Sequence, residues 1–463
     1  MFQLINDIIT QFREKFKRQK TWQWFVIIVL GFMVRSEHRG VTSTITALRL
    51  KPGLYHTLLH FFRSSAYKVG ELYQKWIGVV LKYAPLVEIS KRLVLLGDHI
   101  KIAKEGRRMP VIHKHHQDSA NSGKAEYIEG HNFGQVSALI TNGEVTRSIP
   151  LMTELQASST KSGGESLIVQ MVTLAGKAVS AMKKPAILVL DAYFCSGTTW
   201  EASDKIVDKH GNHMLEIVTR AKSNTVAYHE PRKLSKPRRG RPRLYGKKVK
   251  LFELFSERSA EFTPKTMTLY GKSTKLQYLC VDLIWRPAKR KVRFVLVKIG
   301  NTPFVFMSSD LTLTAEEIIT LYANRFKIET GFDDLKNDMG GFSYHFWTKA
   351  LTKRKKNQDA QTPIDPKSQD KVKKAIQATE VYVCLNVIAT GILTIIAFRH
   401  SREIWNRYPG YIKTVRSPIP TVATTKLTLS QDFCAFLPML KGLCAFKFIS
   451  KLQRVVDFLY QAV

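Results

Sequence analysis

Apolar residues recur along the chain in different rhythms, and each change of rhythm marks a change of element. Over the first 90 residues they fall three or four apart, the spacing of helices with one buried face. The apolar run WFVIIVLGFMV, Trp24 to Val34, has 11 residues, about half of the roughly 20 that cross a bilayer. It follows the charged REKFKRQK and has no small-residue cleavage site, so a buried core helix is expected there and not a signal peptide. GVTSTITALRLKPGLYHTLLHFFRSSAY reads either as a DNA-binding helix-turn-helix or as a plain helical hairpin.

From Lys91 the texture changes. RLVLLGD (Arg92 to Asp98) is a short, nearly continuous apolar run of the kind a strand buried on both faces needs. FGQVSALIT and EVTRSIPLM follow, separated by Asn142-Gly143, a hairpin turn. Next come a helical stretch (ESLIVQMVTLAGKAVSAM), the strand AILVLD (Ala186 to Asp191), a second helical stretch and MLEIVTRA. This order predicts a mixed α/β sheet with an antiparallel hairpin. Between 228 and 310 the pattern turns basic and then strand-like (TMTLYG, LQYLCVDLIW, VRFVLVKIG), a β-rich insertion. A helix over Leu321 to Gly341 follows, closed by Gly340-Gly341. Then come a polar, proline-containing linker and a helical end beginning VYVCLNVIATGILTIIAF. The boundaries divide the chain into 1–90, helical and DNA-binding; 91–227, the first part of the sheet domain; 228–310, the insertion; 311–400, the second part; and 401–463, helical and suited to multimerisation.

Charge narrows the function. Lysine and arginine outnumber aspartate and glutamate 72 to 37, a net charge of +35, in a chain apolar enough to fold. That excess points to a polyanionic partner, nucleic acid ahead of a membrane surface. Five scattered cysteines without a CxxC pair suggest a reducing, cytoplasmic setting and no zinc site. Gly163-Gly164 lacks the lysine and spacing of a phosphate-binding loop, so no nucleotide cofactor is expected. His113, His115 and His116 are read as a solvated or phosphate-facing loop cluster, not as metal ligands.

The chemistry-bearing residues are few. Asp98 and Asp191 each end an apolar strand, where ligand sites of α/β sheets gather. On a helix advancing about 100° per residue, Tyr322, Arg325, Glu329 and Lys336 lie within about 60° of one another. Their bland reading is a surface pair between Arg325 and Glu329, worth about 0.3–0.5 kcal/mol; it leaves Tyr322 and Lys336 unexplained. Three carboxylates in a basic protein suit divalent cations, which prefer hard oxygen ligands. Glu105 and Asp118 are alternatives for the first carboxylate and Asp333 for the third. PRRGRPR, with Arg238, Arg239, Arg241 and Arg243, suits DNA phosphates or a narrow minor groove. Trp285 and Trp347 are either core residues or stacking platforms for a base.

The spacing Tyr322-x2-Arg325-x3-Glu329-x6-Lys336 resembles the YREK signature of bacterial insertion-sequence transposases, the IS4-like branch of the DDE transposases. The resemblance covers most of the chain, including the two strand-end aspartates and the β-rich insertion before the glutamate. It implies an RNase H-like catalytic domain in which Asp98, Asp191 and Glu329 hold catalytic Mg²⁺, with Mn²⁺ able to substitute. Tyr322, Arg325 and Lys336 would grip phosphates, and Trp285 would stack on a base. It also implies double-stranded DNA as partner (transposon ends and target), a homodimer or higher multimer on that DNA, no membrane, and a bacterial, nucleoid-associated location. The implied activity is cleavage and strand transfer at terminal inverted repeats. A metal-dependent nuclease and a non-catalytic DNA-binding descendant are the alternatives.

Overall fold

The computed structural model describes residues 1–37, 40–117, 123, 125–157, 165–231, 243–354, 363, 365–410, 417–436 and 449–453, without the side chains of 434–436 and 450. Its strands are β1 (Glu88–Ile89), β2 (Arg92–Ala103), β3 (His113–His116), β4 (Tyr127–Thr141), β5 (Thr146–Gln156), β6 (Ala186–Val189), β7 (Leu215–Arg220), β8 (Val226–Tyr228), β9 (Lys248–Lys250), β10 (Thr263–Leu269), β11 (Lys272–Trp285), β12 (Arg290–Ile299) and β13 (Thr302–Ser308). These 13 strands form one mixed sheet, in the order β3-β4-β2-β6-β7-β13-β12-β11-β8-β9, with β5 on β4, β1 on β2 and β10 on β11.

The centre is the mixed α/β arrangement expected. Strand β2 pairs antiparallel with β4 and parallel with β6, and β6 pairs parallel with β7. The β4–β5 hairpin turns at Asn142-Gly143, where Gly143 takes a φ of +94° that costs a side-chain-free residue little. This layout is consistent with an RNase H-like transposase fold. The strands between 228 and 310 extend the sheet and do not form a separate layer: β13 pairs with β7 through Phe306↔Arg220 to Ser308↔Val218. The histidine cluster also differs from expectation. His113 to His116 form a strand on β4 (His113↔Gly130 to His116↔Tyr127), not an irregular loop.

Alternation along β2 assigns the two faces. Leu93 and Leu95 join the larger core, with the helices Gln19–Val34 and Gln369–Arg399. Val94 and Leu96 join a second core with Ile187, Val189, Ile318, Leu321, Ile328 and Phe332. The segment carrying Glu329 therefore covers the second face. The 31-residue helix Gln369–Arg399 carries an uncharged, mostly apolar stretch longer than the run at Trp24, and Pro366–Arg399 is long and apolar enough to cross a membrane. Within the fold, 94% of its most apolar window is buried, so its length serves as the central rod of the helical layer.

The glutamate segment is not one regular helix. It runs as a helix over Ala315–Ala323, a turn, a helix over Lys327–Asp333 and a π-helical turn over Asp334–Asp338. A capping box on Thr314 and Glu317 starts it. Around the turn the backbone tightens to i→i−3 bonds, Arg325 N to Tyr322 O and Glu329 N to Phe326 O. It then widens, Met339 N bonding Asp334 O. Regular 100° spacing therefore fails on both sides of Glu329.

Candidate active site

Strand register explains how the two aspartates meet. The last parallel rung between β2 and β6 is Leu96↔Val189. Asp98 and Asp191 each lie two residues beyond their own rung, at matching heights and on the face of Leu96 and Val189. Contrary to expectation, Asp98 does not end its strand: β2 runs on to Ala103 because residues 98–103 keep pairing with β4, Asp98 opposite Gln135. Asp191 lies just past β6, where its Oδ1 accepts the Tyr193 N–H at 3.0 Å and caps the short turn Ala192–Phe194.

Arg325 joins the third carboxylate to the first. Its Nη1 lies 3.3 Å from Asp98 Oδ2, and its Nη2 donates to Glu329 Oε1 at 2.7 Å. The i,i+4 pair expected from the bland reading is thus present, but the same guanidinium also reaches across to the sheet. Glu329 is the outermost of the three, 57% exposed against 21% for Asp98. Tyr322 leans over Phe306, ring centroids 4.5 Å apart, and burial raises its phenol pKa. Lys336 is exposed on the π-helical turn.

The electrostatics are those of a crowded anionic site. Burial, followed by the Asp191 charge, pushes the Asp98 carboxyl up to about 7, while the His99 N–H and Arg325 pull it down. Burial also raises Asp191, against Arg325 and the Tyr193 and Phe194 N–H groups. Even with Arg325 lying against Asp98 and Glu329, the Asp98 carboxyl holds a proton much of the time near neutral pH, and a divalent cation beside it would displace that proton. Among the described residues, no group of three His, Cys, Asp or Glu side chains is drawn together closely enough to hold a metal as it stands. The donors nevertheless fit in kind: they are oxygen-only carboxylates that repel one another and are held by a positive charge, the set that Mg²⁺ or Mn²⁺ takes.

Two supporting residues escaped sequence reasoning. Gln135, fully buried beside Asp98, accepts from Thr153 Oγ1 at 2.9 Å and donates to Ser137 Oγ at 3.0 Å. Gln156 Oε1 accepts from His99 Nε2 at 2.7 Å, and burial lowers the His99 pKa to about 4, so the ring is neutral. Gln156 crosses Gly134 so closely that a Cβ there would lie 2.2 Å from its amide nitrogen. The legible signal was a glutamine inside each apolar strand of the hairpin, since an uncharged amide buried in a sheet needs partners.

The remaining candidates scatter. Trp285 is 4% exposed and packs edge-on against Trp200, centroids 4.9 Å apart; this is the core alternative, and it leaves the ring unavailable to a base as it stands. Trp347 is 52% exposed. Arg243 is exposed, while Arg238, Arg239, Arg241 and Asp118 lie outside the described residues. Asp333 is exposed and accepts from Asn337.

Residues 158–350 match the family model of the transposase DDE domain. The matched stretch is less than half of the chain. It contains Asp191 and the whole Tyr322–Lys336 segment and begins beyond Asp98. No curated protein matches the chain.

Proposed function

We propose that this protein is a DNA transposase of the IS4-like, YREK-bearing kind, which binds the terminal inverted repeats of an insertion sequence, cuts there and joins the freed end to target DNA. The observation that supports this most is the pairing of Asp98 and Asp191 at matching heights of adjacent parallel strands, with Glu329 tied to Asp98 through Arg325, in a chain of charge +35. A carboxylate cluster in so basic a protein works against phosphate binding unless cations take it up.

In this reading Asp98, Asp191 and Glu329 hold Mg²⁺ or Mn²⁺. Bound divalent ions would supply activation of the attacking water or 3′-hydroxyl and charge stabilisation on the leaving oxygen. The protein's own groups do the rest. Arg325, relieved of the carboxylates, turns to a DNA phosphate as a bidentate donor, and Lys336 adds a mobile charge from the π-helical turn. Tyr322, fixed by Phe306, keeps water from the inner side of the site. Residues 1–90 and the basic motif 237–243 bind DNA, and 401–463 serves multimerisation.

The test is incubation with a duplex carrying the element's end, a target plasmid and Mg²⁺. Wild type nicks the end and joins it; Glu329→Gln binds the duplex but does neither. Nicking without joining would leave a nuclease, and binding without nicking would leave a DNA-binding protein. Full cleavage by Glu329→Gln would remove Glu329 from the mechanism.

A further inference from the structure

The helix Tyr55–Phe62, half of the segment read as a helix-turn-helix, lines a cleft that the carboxylate site does not use. The cleft encloses about 490 Å³ between that helix, the irregular stretch His345–Lys349 and the start of the helix Gln369–Arg399. Trp347 stands in it with its ring half in solvent. Around it lie Arg63, Lys349, Lys371 and Lys374, all exposed, with Tyr55 at the edge. Among the described residues, none that lines the cleft is acidic. Lys374 pairs with Asp370 at 2.7 Å, but both are well exposed, and such pairs hold little energy.

The wall behind Trp347 is rigid, so the exposed ring is not a sign of loose packing. Phe346 sits against Phe62 and Tyr382, at 5.5 and 6.2 Å between centroids, and is buried. Thr348 N–H donates to Arg108 O at 3.0 Å, fixing the residue after the tryptophan. A large aromatic face held outward among four cations matches a flat, π-faced ligand with attached negative charge. The volume is that of a pocket for one small molecule, too small for a duplex and large enough for one base with its sugar.

We propose that this cleft binds single-stranded DNA, one unpaired base stacking on Trp347 while Arg63, Lys349, Lys371 and Lys374 hold the flanking phosphates. The proposal rests on the reading of the protein as DNA-binding and assigns it a second contact, remote in sequence from Asp98 and Asp191. Stacking on an aromatic platform tolerates any base, and the surrounding charge makes binding fall with salt.

The experiment measures fluorescence anisotropy with a labelled oligo-dT strand and with a blunt duplex of equal length, for wild type, Trp347→Ala, Trp347→Phe and Lys371→Ala/Lys374→Ala. All four are first matched for far-UV circular dichroism and Tm, and metal-dependent nicking is followed in parallel. Trp347→Ala is expected to lower the ratio of single-strand to duplex affinity at least about fivefold, the low end of a base–aromatic stack. Trp347→Phe recovers most of it, and the double lysine variant weakens the single strand and flattens its salt dependence. An unchanged ratio in Trp347→Ala, in protein that still binds and nicks duplex, overturns the cleft alone. Wild type binding neither form of DNA overturns the cleft together with the proposed function.

Discussion

Asp98 shows how little of an active site is set by a side chain alone. Its carboxyl is raised because strand β2 carries it into the sheet beside Asp191, and Arg325 balances part of that cost. If Arg325 is a temporary counter-charge, Arg325→Ala leaves the carboxylates less compensated; it should weaken DNA binding and strengthen Mn²⁺ binding, readable by calorimetry. A second buried acid reports on packing and not on catalysis. Glu380, on the helix Gln369–Arg399, is pushed up to about 7 by burial and then by Glu154, with Lys177 opposing. Its folded pKa lies above the unfolded value near 4.3, so the associated stability is present at low pH and is lost as pH rises through about 7. Glu380→Gln should therefore stabilise the protein at pH 8 by about 1–3 kcal/mol and change little at pH 4, seen as Tm differences by calorimetry.

The glutamate segment is the element on which the site turns, and three cations from distant parts of the chain hold its far end. Arg35, fully buried, donates to Met339 O and Gly340 O, and to Tyr382 Oη and Asn386 Oδ1 at 3.0 and 3.1 Å. Lys104 Nζ donates to Phe342 O and Tyr344 O, and Lys426 Nζ to Asp338 O. Burial lowers both lysines to about 8. Asp338 O is the last carbonyl of the π-helical turn, where positive charge is favoured, and the other acceptors lie in the irregular stretch that follows it. Arg35→Met should lower Tm by about 5–10 °C, since several buried carbonyls and amide groups lose a charged donor; an unchanged Tm would deny the clamp. Little of this was legible. Arg325 and Glu329 pair at the four-residue spacing the sequence offered, across a turn that is not regular helix. The widening at Asp334–Asp338 lies beyond them, and it falsified the regular wheel for Lys336. The π-turn is held by distant partners, Lys426 on Asp338 O and Arg35 on the carbonyls just after it, which local periodicity cannot reveal. Strands β2 and β6 were readable because an unbroken apolar run ending in aspartate has few other uses.

At the level of the whole molecule, helices from both ends of the chain pack together on one face of a sheet that runs unbroken from the carboxylates into the basic 228–310 region. That continuity was hidden, since it depends on Phe306 pairing with Arg220 across 86 residues. Its consequence is mechanical: a ligand held on the outer strands is held rigidly relative to Asp98 and Asp191. With so large a positive excess, duplex affinity should fall by about 10³-fold or more between 50 and 200 mM salt if six or more phosphates are contacted. A shallow dependence in an anisotropy titration would rule that out. In the proposed function three carboxylates, from β2, from just past β6 and from the helix Lys327–Asp333, act as one cation site. Calorimetric titration of Mn²⁺ into the protein bound to a DNA end tests it most directly. Wild type should bind the ion, and Asp98→Asn, Asp191→Asn and Glu329→Gln should each lose most of that binding while remaining folded and DNA-bound; any one of the three binding Mn²⁺ as wild type does would contradict a shared site.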